Sequence, residues 1–201
     1  MEYTYHLKLV EPGGSGFRDV TGLVQTMSWS GDVRQIARAL SVGLAVPRDG
    51  SVETPNLAEG AALILEQAGK PRFTGQLTQC TTSSQTAVAD LSALDGGRFL
   101  AGNEGFYRFD GVTPEAAVTA MCRDFGVQTG NLAHTGITVR RKFPGMALDK
   151  IISTLYTLAG EQTGRRYLPR ITGDGRLEVV EKADAASMEI VQTMGVTNSW
   201  S

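Results

Sequence analysis

The sequence predicts an α+β protein, with an N-terminal antiparallel β-barrel or sandwich followed by a small α+β domain of two helices and a short sheet. Three observations carry this prediction. Up to about Leu94, short apolar runs alternate with a period of two and are separated by Gly/Pro turns at roughly 8–12-residue spacing. After Asp95-Gly96-Gly97 the apolar residues recur instead at helical spacing, first beyond Thr113 and again beyond Pro144. Near the end, two alternating runs flank Gly173-Asp174-Gly175, the pattern of a β-hairpin.

Along the chain, Tyr3 to Val10 places Tyr3, Tyr5, Leu7 and Leu9 on one face of a strand, and Pro12-Gly13-Gly14-Ser15-Gly16 is a turn or loop. Leu23 to Trp29 is a short apolar strand closed by Ser30-Gly31-Asp32. From Ala37 to Val46, a small face of Ala37, Ala39, Ser41, Gly43 and Ala45 alternates with a bulky face of Arg38, Leu40, Val42, Leu44 and Val46. Pro47 ends that strand because it has no N–H to donate. Arg48-Asp49-Gly50-Ser51 makes another turn. Ala61–Glu66 and Arg72–Thr81 are strands around a tight connection at Gln67–Pro71, with Phe73 and Leu77 meeting Leu63 and Leu65. Gln85 to Leu94 is one more strand, with Ala87, Ala89, Leu91 and Ala93 on one side.

In the second half, Phe99 to Phe109 is a glycine-broken aromatic segment. Thr113 as N-cap, Pro114 at the first helical position and Glu115 in the first turn start a helix. Its stripe is Val118, Met121, Cys122 and Phe125, and Gly126 stops it. Ile137–Val139 reads as a short strand. A second helix starts at Gly145 or Met146, with Leu148, Ile151, Ile152, Leu155, Leu158 and Ala159 as its stripe and Gly160 or Gly164 as its stop. The expected domains are 1–97 and 98–182. Residues 183–201 are weakly patterned: Met188, Ile190 and Val191 open a further helix or strand, and Trp200 is one residue from the end. They are read as the start of a missing or truncated segment.

The chain has 201 residues, is 41% hydrophobic and 20% charged, and carries a net charge of −2, so no broad basic field points to nucleic acid or membrane. No signal peptide or run of membrane-spanning length is read, which places synthesis in the cytoplasm. Cys80 and Cys122 stand apart, without a CxxC or Cys/His grouping, and each is expected to be a buried free thiol.

Little in the sequence carries catalytic chemistry. His6 and His134 have no metal-ligand neighbours at useful spacing and read as strand and surface histidines. Ser28, Ser30, Ser83 and Ser84 lack the Gly-x-Ser-x-Gly elbow. Gly173-Asp174-Gly175 lacks a calcium-loop pattern, and Gly102-Asn103-Glu104-Gly105 lacks the dinucleotide fingerprint. Asp90/Asp95 and Asp110/Glu115 have no apolar setting that separates two carboxylate pKa values. No catalytic residue, cofactor or metal site is expected. Two basic clusters remain, Arg140-Arg141-Lys142 and Arg165-Arg166 with Arg170. Brought together, they would make a positive patch for a nucleic acid or an acidic partner; kept apart, they are solvated strand ends, balanced by Asp124, Asp149, Glu161 and Glu178. Trp29, beside a turn, is either a cap on the barrel or an interface anchor.

Several motifs occur in a telling order: Asp19-Val20-Thr21-Gly22-Leu23-Val24, Ser28-Trp29-Ser30-Gly31-Asp32, Ala37-Arg38-Ala39-Leu40 and Phe73-Thr74-Gly75. Leu94-Asp95, Tyr107-Arg108-Phe109, Thr113-Pro114-Glu115-Ala116, Cys122-Arg123-Asp124-Phe125-Gly126 and Thr135-Gly136-Ile137 follow. Ile151-Ile152 through Tyr156 to Thr163-Gly164-Arg165-Arg166-Tyr167 completes the series. Over residues 19 to 182 this resembles the tail-hub (baseplate-hub) proteins of PBSX-like prophages and related contractile phage-tail-like particles.

The resemblance implies a tube-like first barrel and a non-enzymatic structural role joining tail tube to central spike. It implies a homotrimer, with the tail tube protein above, the spike protein below and other baseplate proteins around it. No membrane or specific nucleic-acid partner is implied. The implied location is the bacterial cytoplasm during assembly, then the baseplate of a phage, defective prophage or bacteriocin particle. Family members usually continue into a second barrel, so this chain is expected to be a fragment, to have a separate companion chain, or to build its hub differently. The alternatives are another tail or secretion-apparatus component with a tube-like barrel, or a cell-wall-binding or cell-wall-degrading tail protein. Trp29, Arg38, Ser41 and Gly43 are the candidate subunit-interface residues; Ser41 and Gly43 belong to the face of Ala, Ser and Gly that lets another chain approach closely, and Trp is favoured at interface hot spots.

Overall fold

The structure is a computed structural model that describes residues 5–14, 16–32, 35–46, 55–58, 60–82 and 87–182. The chain divides into two compact units. Among the described residues, the first runs to Ser30 and resumes over Arg38–Asp95; the second takes Gly31–Ala37 and everything from Gly96. The expected segment over 183–201, the turn at Arg48–Ser51, and Ser83 and Ser84 lie outside the described residues.

In the first unit the strands are β1 (Tyr5–Val10), β2 (Arg18–Asp19), β3 (Val24–Gly31), β4 (Arg38–Ala45), β5 (Ala62–Gln67), β6 (Lys70–Thr82) and β7 (Val88–Asp95). They form a single seven-stranded sheet in the order β2-β1-β5-β6-β7-β4-β3. The alternating residues read from sequence set its inner face: Tyr5, Leu7 and Leu9, then Leu63 and Leu65, Phe73 and Leu77, Ala89, Leu91 and Ala93, and Leu40, Val42 and Leu44 are all buried. With one apolar face and, among the described residues, no α-helix of its own to cover it, the sheet curls around that face as a half-barrel.

Closure is where the expectation of a barrel fails. Among the described residues, β2 and β3 end the sheet and do not pair with each other. β2 is only two residues long. The β5–β6 hairpin turns at Ala68-Gly69, whose φ angles of 50° and 73° are the pair of positive values that a two-residue hairpin requires. Pro71 is tolerated in β6 because that strand pairs with β7 only from Gly75 onward.

The second unit contains α1 (Gly97–Gly102), β8 (Glu104–Val112), α2 (Pro114–Asp124), β9 (Thr129–Leu132), β10 (Val139–Ala147), α3 (Leu148–Thr163), β11 (Tyr167–Ile171) and β12 (Leu177–Glu181). Among the described residues there are thus three α-helices rather than two. α1 was hidden in the glycine-broken segment; it is short, and Leu100, fully buried, ties it to the core. The expected short sheet is two sheets. One is an antiparallel β8–β10 ribbon; in the other, β12 lies between antiparallel β11 and parallel β9.

The α2 start matches its sequence signals: Thr113 Oγ1 accepts from the Ala116 N–H, and Pro114 occupies the first turn. α3 begins later than expected. Pro144 lies within β10, and a bulge between Pro144 and Met146 carries the strand through to Ala147. Its left-handed C-cap is Gly164. The stripes of α2 and α3 pack with Phe109, Phe143, Ile171, Leu177 and Val179 into one core.

The thiol expectation holds for one cysteine. Cys122 is buried and free, but Cys80 is exposed. The buried alternation of β6 stops at Leu77, and every residue from Thr78 to Thr82 is exposed, Cys80 among them.

Candidate functional site

The sheet distributes the four candidate interface residues over its two faces. β3 is a terminal strand, mostly exposed, whose Val24, Met27 and Trp29 are partly buried against the half-barrel core. Arg38 shares the core-facing parity of Leu40 on β4, and its guanidinium lies 5.4 Å from the centroid of the Trp29 ring. The same guanidinium donates through Nε to Asp95 Oδ2 at 2.8 Å, and the Arg38 backbone N–H donates to Asp95 Oδ1 at 3.1 Å. Asp95, which looked like an ordinary carboxylate in sequence, is nearly fully buried here. Trp29 Nε1 is buried with no acceptor among the described residues.

Ser41 and Gly43 face the other way. With Ser28, Asp90 and Ser92 they line a shallow groove of about 220 Å³ on the outer face of the sheet. Ser41 is exposed; Gly43 is covered, because the Thr26 side chain of β3 leans over it. A Cβ at residue 43 would lie 2.5 Å from Thr26 Oγ1, so the glycine is needed to pack β3 on β4 within one chain. Arg38 and Gly43 therefore have intrachain roles, whereas Ser41 and the outer face of β3 are open.

The histidines are paired. His6 Nδ1 lies 3.5 Å from Asp19 Oδ2. Hydrogen bonds from the Thr21 hydroxyl and backbone N–H hold the Asp19 carboxyl below its ordinary range. His134 Nδ1 lies 2.7 Å from Glu115 Oε1. Burial raises the Glu115 carboxyl, but hydrogen bonds from its own backbone, from Thr135 and from Thr113 outweigh burial and leave it lowered. The Thr135 hydroxyl donates to Glu115 Oε2 at 3.0 Å, so this cluster pins the loop after β9 to the start of α2. Among the described residues there is no group of three or more His, Cys, Asp or Glu that could hold a metal ion. No described helix is long and apolar enough to cross a membrane.

The two basic clusters stay apart. Arg165 and Arg166 line a groove at the end of α3, and Arg165 and Arg170 are paired with Glu181 and Glu178. Arg140, Arg141 and Lys142 lie on β10, where the ribbon adds a cation that sequence reading missed: Arg108 of β8, directly opposite Lys142. Together with Phe109 and Asp110 these residues line a groove of about 460 Å³. The alternation Glu104, Phe106, Arg108, Asp110 was visible in the sequence, but its pairing with β10 was not.

The YQBQ-like family model matches residues 27–199, most of the chain. The chain belongs to the YQBQ-like family. Among curated relatives of this YQBQ-like chain, it is 25% identical over 148 residues to "Phage-like element PBSX protein XkdQ" of Bacillus subtilis (strain 168), covering 72% of this chain and 44% of that protein. It is 22% identical over 174 residues to "Uncharacterized protein YqbQ" of the same organism, covering 85% and 52%. The chain thus spans about half the length of the curated relatives it matches.

Among solved structures, the YQBQ-like fold is similar to the tail protein from Neisseria meningitidis MC58, with a TM-score of 0.66 at 17% identity over 88% of this chain and 50% of that one. The 43 kDa tail protein of prophage MuSo2 from Shewanella oneidensis gives 0.63 at 13% identity, over 88% and 53%. At these identities the likeness is one of fold.

Proposed function

We propose that this chain is a structural, non-enzymatic component of a phage tail or phage-tail-like particle, and that within it the chain is the hub joining the tail tube to the central spike. The observation that carries this reading is the half-barrel with an open terminal strand, in a chain whose family relative is a phage-like element protein and whose fold is that of prophage tail proteins. An uncovered strand edge invites pairing and is an aggregation liability in a free monomer, and a ring of subunits removes it. In this reading the half-barrels line the ring wall and three copies assemble about the axis. The tube protein sits above and the spike below, with Trp29, Arg38, Ser41 and Gly43 near the joint.

The test is the native mass by light scattering, for the chain alone and mixed with the tube and spike proteins of the same particle, repeated on the longest product of the gene. A trimer, or a complex with three copies of spike, is expected. A monomer that ignores both partners in its longest form overturns the hub reading.

A further inference from the structure

The β8–β10 ribbon carries a charge arrangement that the described residues do not satisfy. Register places Arg108 directly opposite Lys142 on the outer face, while Arg141 lies opposite Phe109 on the other face, and like charges facing each other across a strand pair are destabilising. Asp110 is engaged by Arg140, whose Nε lies 2.6 Å from Asp110 Oδ1. Among the described residues no carboxylate pairs with Arg108, Arg141 or Lys142. The outer face of the two strands holds Arg108, Arg140 and Lys142 against Glu104 and Asp110, a local net of +1 on a chain whose total is −2, and Arg140 is the cation that Asp110 engages.

An apolar element lies beside the cations. Phe106, opposite Pro144, is 80% exposed. Its ring lies over Gly145, where a Cβ would come within 3.0 Å of Cζ, so one ring face is seated on the ribbon and the rest is open. A large exposed aromatic next to unpaired cations is an anchor-and-clamp arrangement.

We propose that the outer face of this ribbon docks a short acidic polypeptide segment of another protein, its carboxylates bridging Arg108 and Lys142 and an apolar side chain resting on Phe106. The extent of the patch selects a peptide over a nucleic acid. Glu104 and Asp110 bound the β8 side, at most about 20 Å apart at the usual strand rise. A phosphodiester backbone running along the strand would meet a carboxylate at each end, whereas two or three peptide carboxylates fit between them. This surface lies outside the half-barrel and does not depend on the hub assignment.

The test is fluorescence anisotropy on the full chain, with a labelled hexapeptide alternating Glu and Leu as probe, and a Lys/Leu hexapeptide and a short oligothymidylate as comparisons. The Glu/Leu peptide is expected to bind saturably and to weaken as salt rises. Binding should fall at least about tenfold in the double variant Arg108→Gln/Lys142→Gln, and fall in Phe106→Ser. Lys142→Glu replaces the like-charge pair with an opposite pair, so it should raise the melting temperature while abolishing peptide binding; this also guards against a misfolded variant. Absence of saturable peptide binding, binding indifferent to these substitutions, or tighter binding of the oligothymidylate overturns the proposal.

Discussion

The Asp95 carboxylate is gripped twice by Arg38, through the guanidinium Nε at 2.8 Å and the backbone N–H at 3.1 Å, at a point where the Asp95 side chain has no solvent exposure. The Arg38 side chain keeps about a fifth of its surface in water. Removing one partner of a buried pair strands the other, at a cost of roughly 3–5 kcal/mol when both are dry. With Arg38 partly wet, Asp95→Ala should cost about 2–3 kcal/mol in urea unfolding. A loss within a few tenths of zero would show that water replaces Arg38 without penalty. Any assembly defect of an Arg38 variant must therefore be read against its folding.

At Gly43 the expected fault is steric. Gly43→Ala puts a methyl into the Thr26 hydroxyl, and overpacking of this kind costs about 1–3 kcal/mol. Thr26→Ala removes the atom in the way, so the double variant should recover most of the stability. A double variant no better than Gly43→Ala alone would put the role of Gly43 elsewhere, at a contact with another chain.

What could be read from the sequence follows from where periodicity carries the information. Leu7, Leu40, Leu63 and Leu91 were placed on the buried face by alternation, and Ile151, Leu155 and Ala159 by helical spacing, because burial on one face imposes those periods. Closure of the sheet was not legible, since it depends on whether β2 and β3 meet, which no local pattern encodes. Cys80 was misplaced because cysteine is usually buried, whereas β6 leaves the core after Leu77, which no local pattern announces. Arg108 and Lys142 were each visible, but their opposition is a matter of register across a connection that contains α2 and β9. The same limit hid Asp95, whose burial depends on Arg38 reaching it across β4 and β7.

The two thiols should behave differently. Cys80 is exposed and Cys122 is buried, with burial pushing the Cys122 thiol up to about 11 and the Cys80 thiol up to a lesser degree. Since the thiolate is the reactive form, Cys80 should react slowly and Cys122 not at all in the native protein. Ellman titration should give one thiol natively and two in denaturant. Two native thiols would mean that the α2 face opens on the timescale of the assay.

Stability should fall on the acid side through Glu115. Its folded-state carboxyl lies below the ordinary 4.5, so the folded state binds the proton less readily than the unfolded chain. The stabilisation is complete above the unfolded value and is lost as pH falls through the folded one. Urea unfolding from neutral pH down into the acid range should therefore show a shallower acid loss in Glu115→Gln than in the unsubstituted protein. Parallel acid limbs would mean that the hydrogen bonds from the Glu115 backbone, Thr135 and Thr113 do not outweigh burial.

Trp29 holds two opposed terms. Its ring packs against the half-barrel core beneath Arg38, while its Nε1–H is buried without an acceptor among the described residues. Truncating a packed Trp costs about 3–5 kcal/mol when fully buried, and an unmet buried donor costs about 1–3 kcal/mol. Trp29→Ala should therefore destabilise by about 3 kcal/mol or somewhat less for this partly buried ring, and Trp29→Phe, which keeps the ring and drops the donor, should be close to neutral. Assembly changes the balance if a neighbouring chain supplies the missing acceptor, for then Trp29→Phe weakens assembly while sparing the isolated fold. The chain has two tryptophans, so in a Trp200→Phe background the emission reports Trp29 alone. An emission change on mixing with tube or spike protein, joined to weaker association of Trp29→Phe, would put Trp29 at the joint. Unchanged emission in a complex of demonstrated mass would make it a cap on the half-barrel and nothing more.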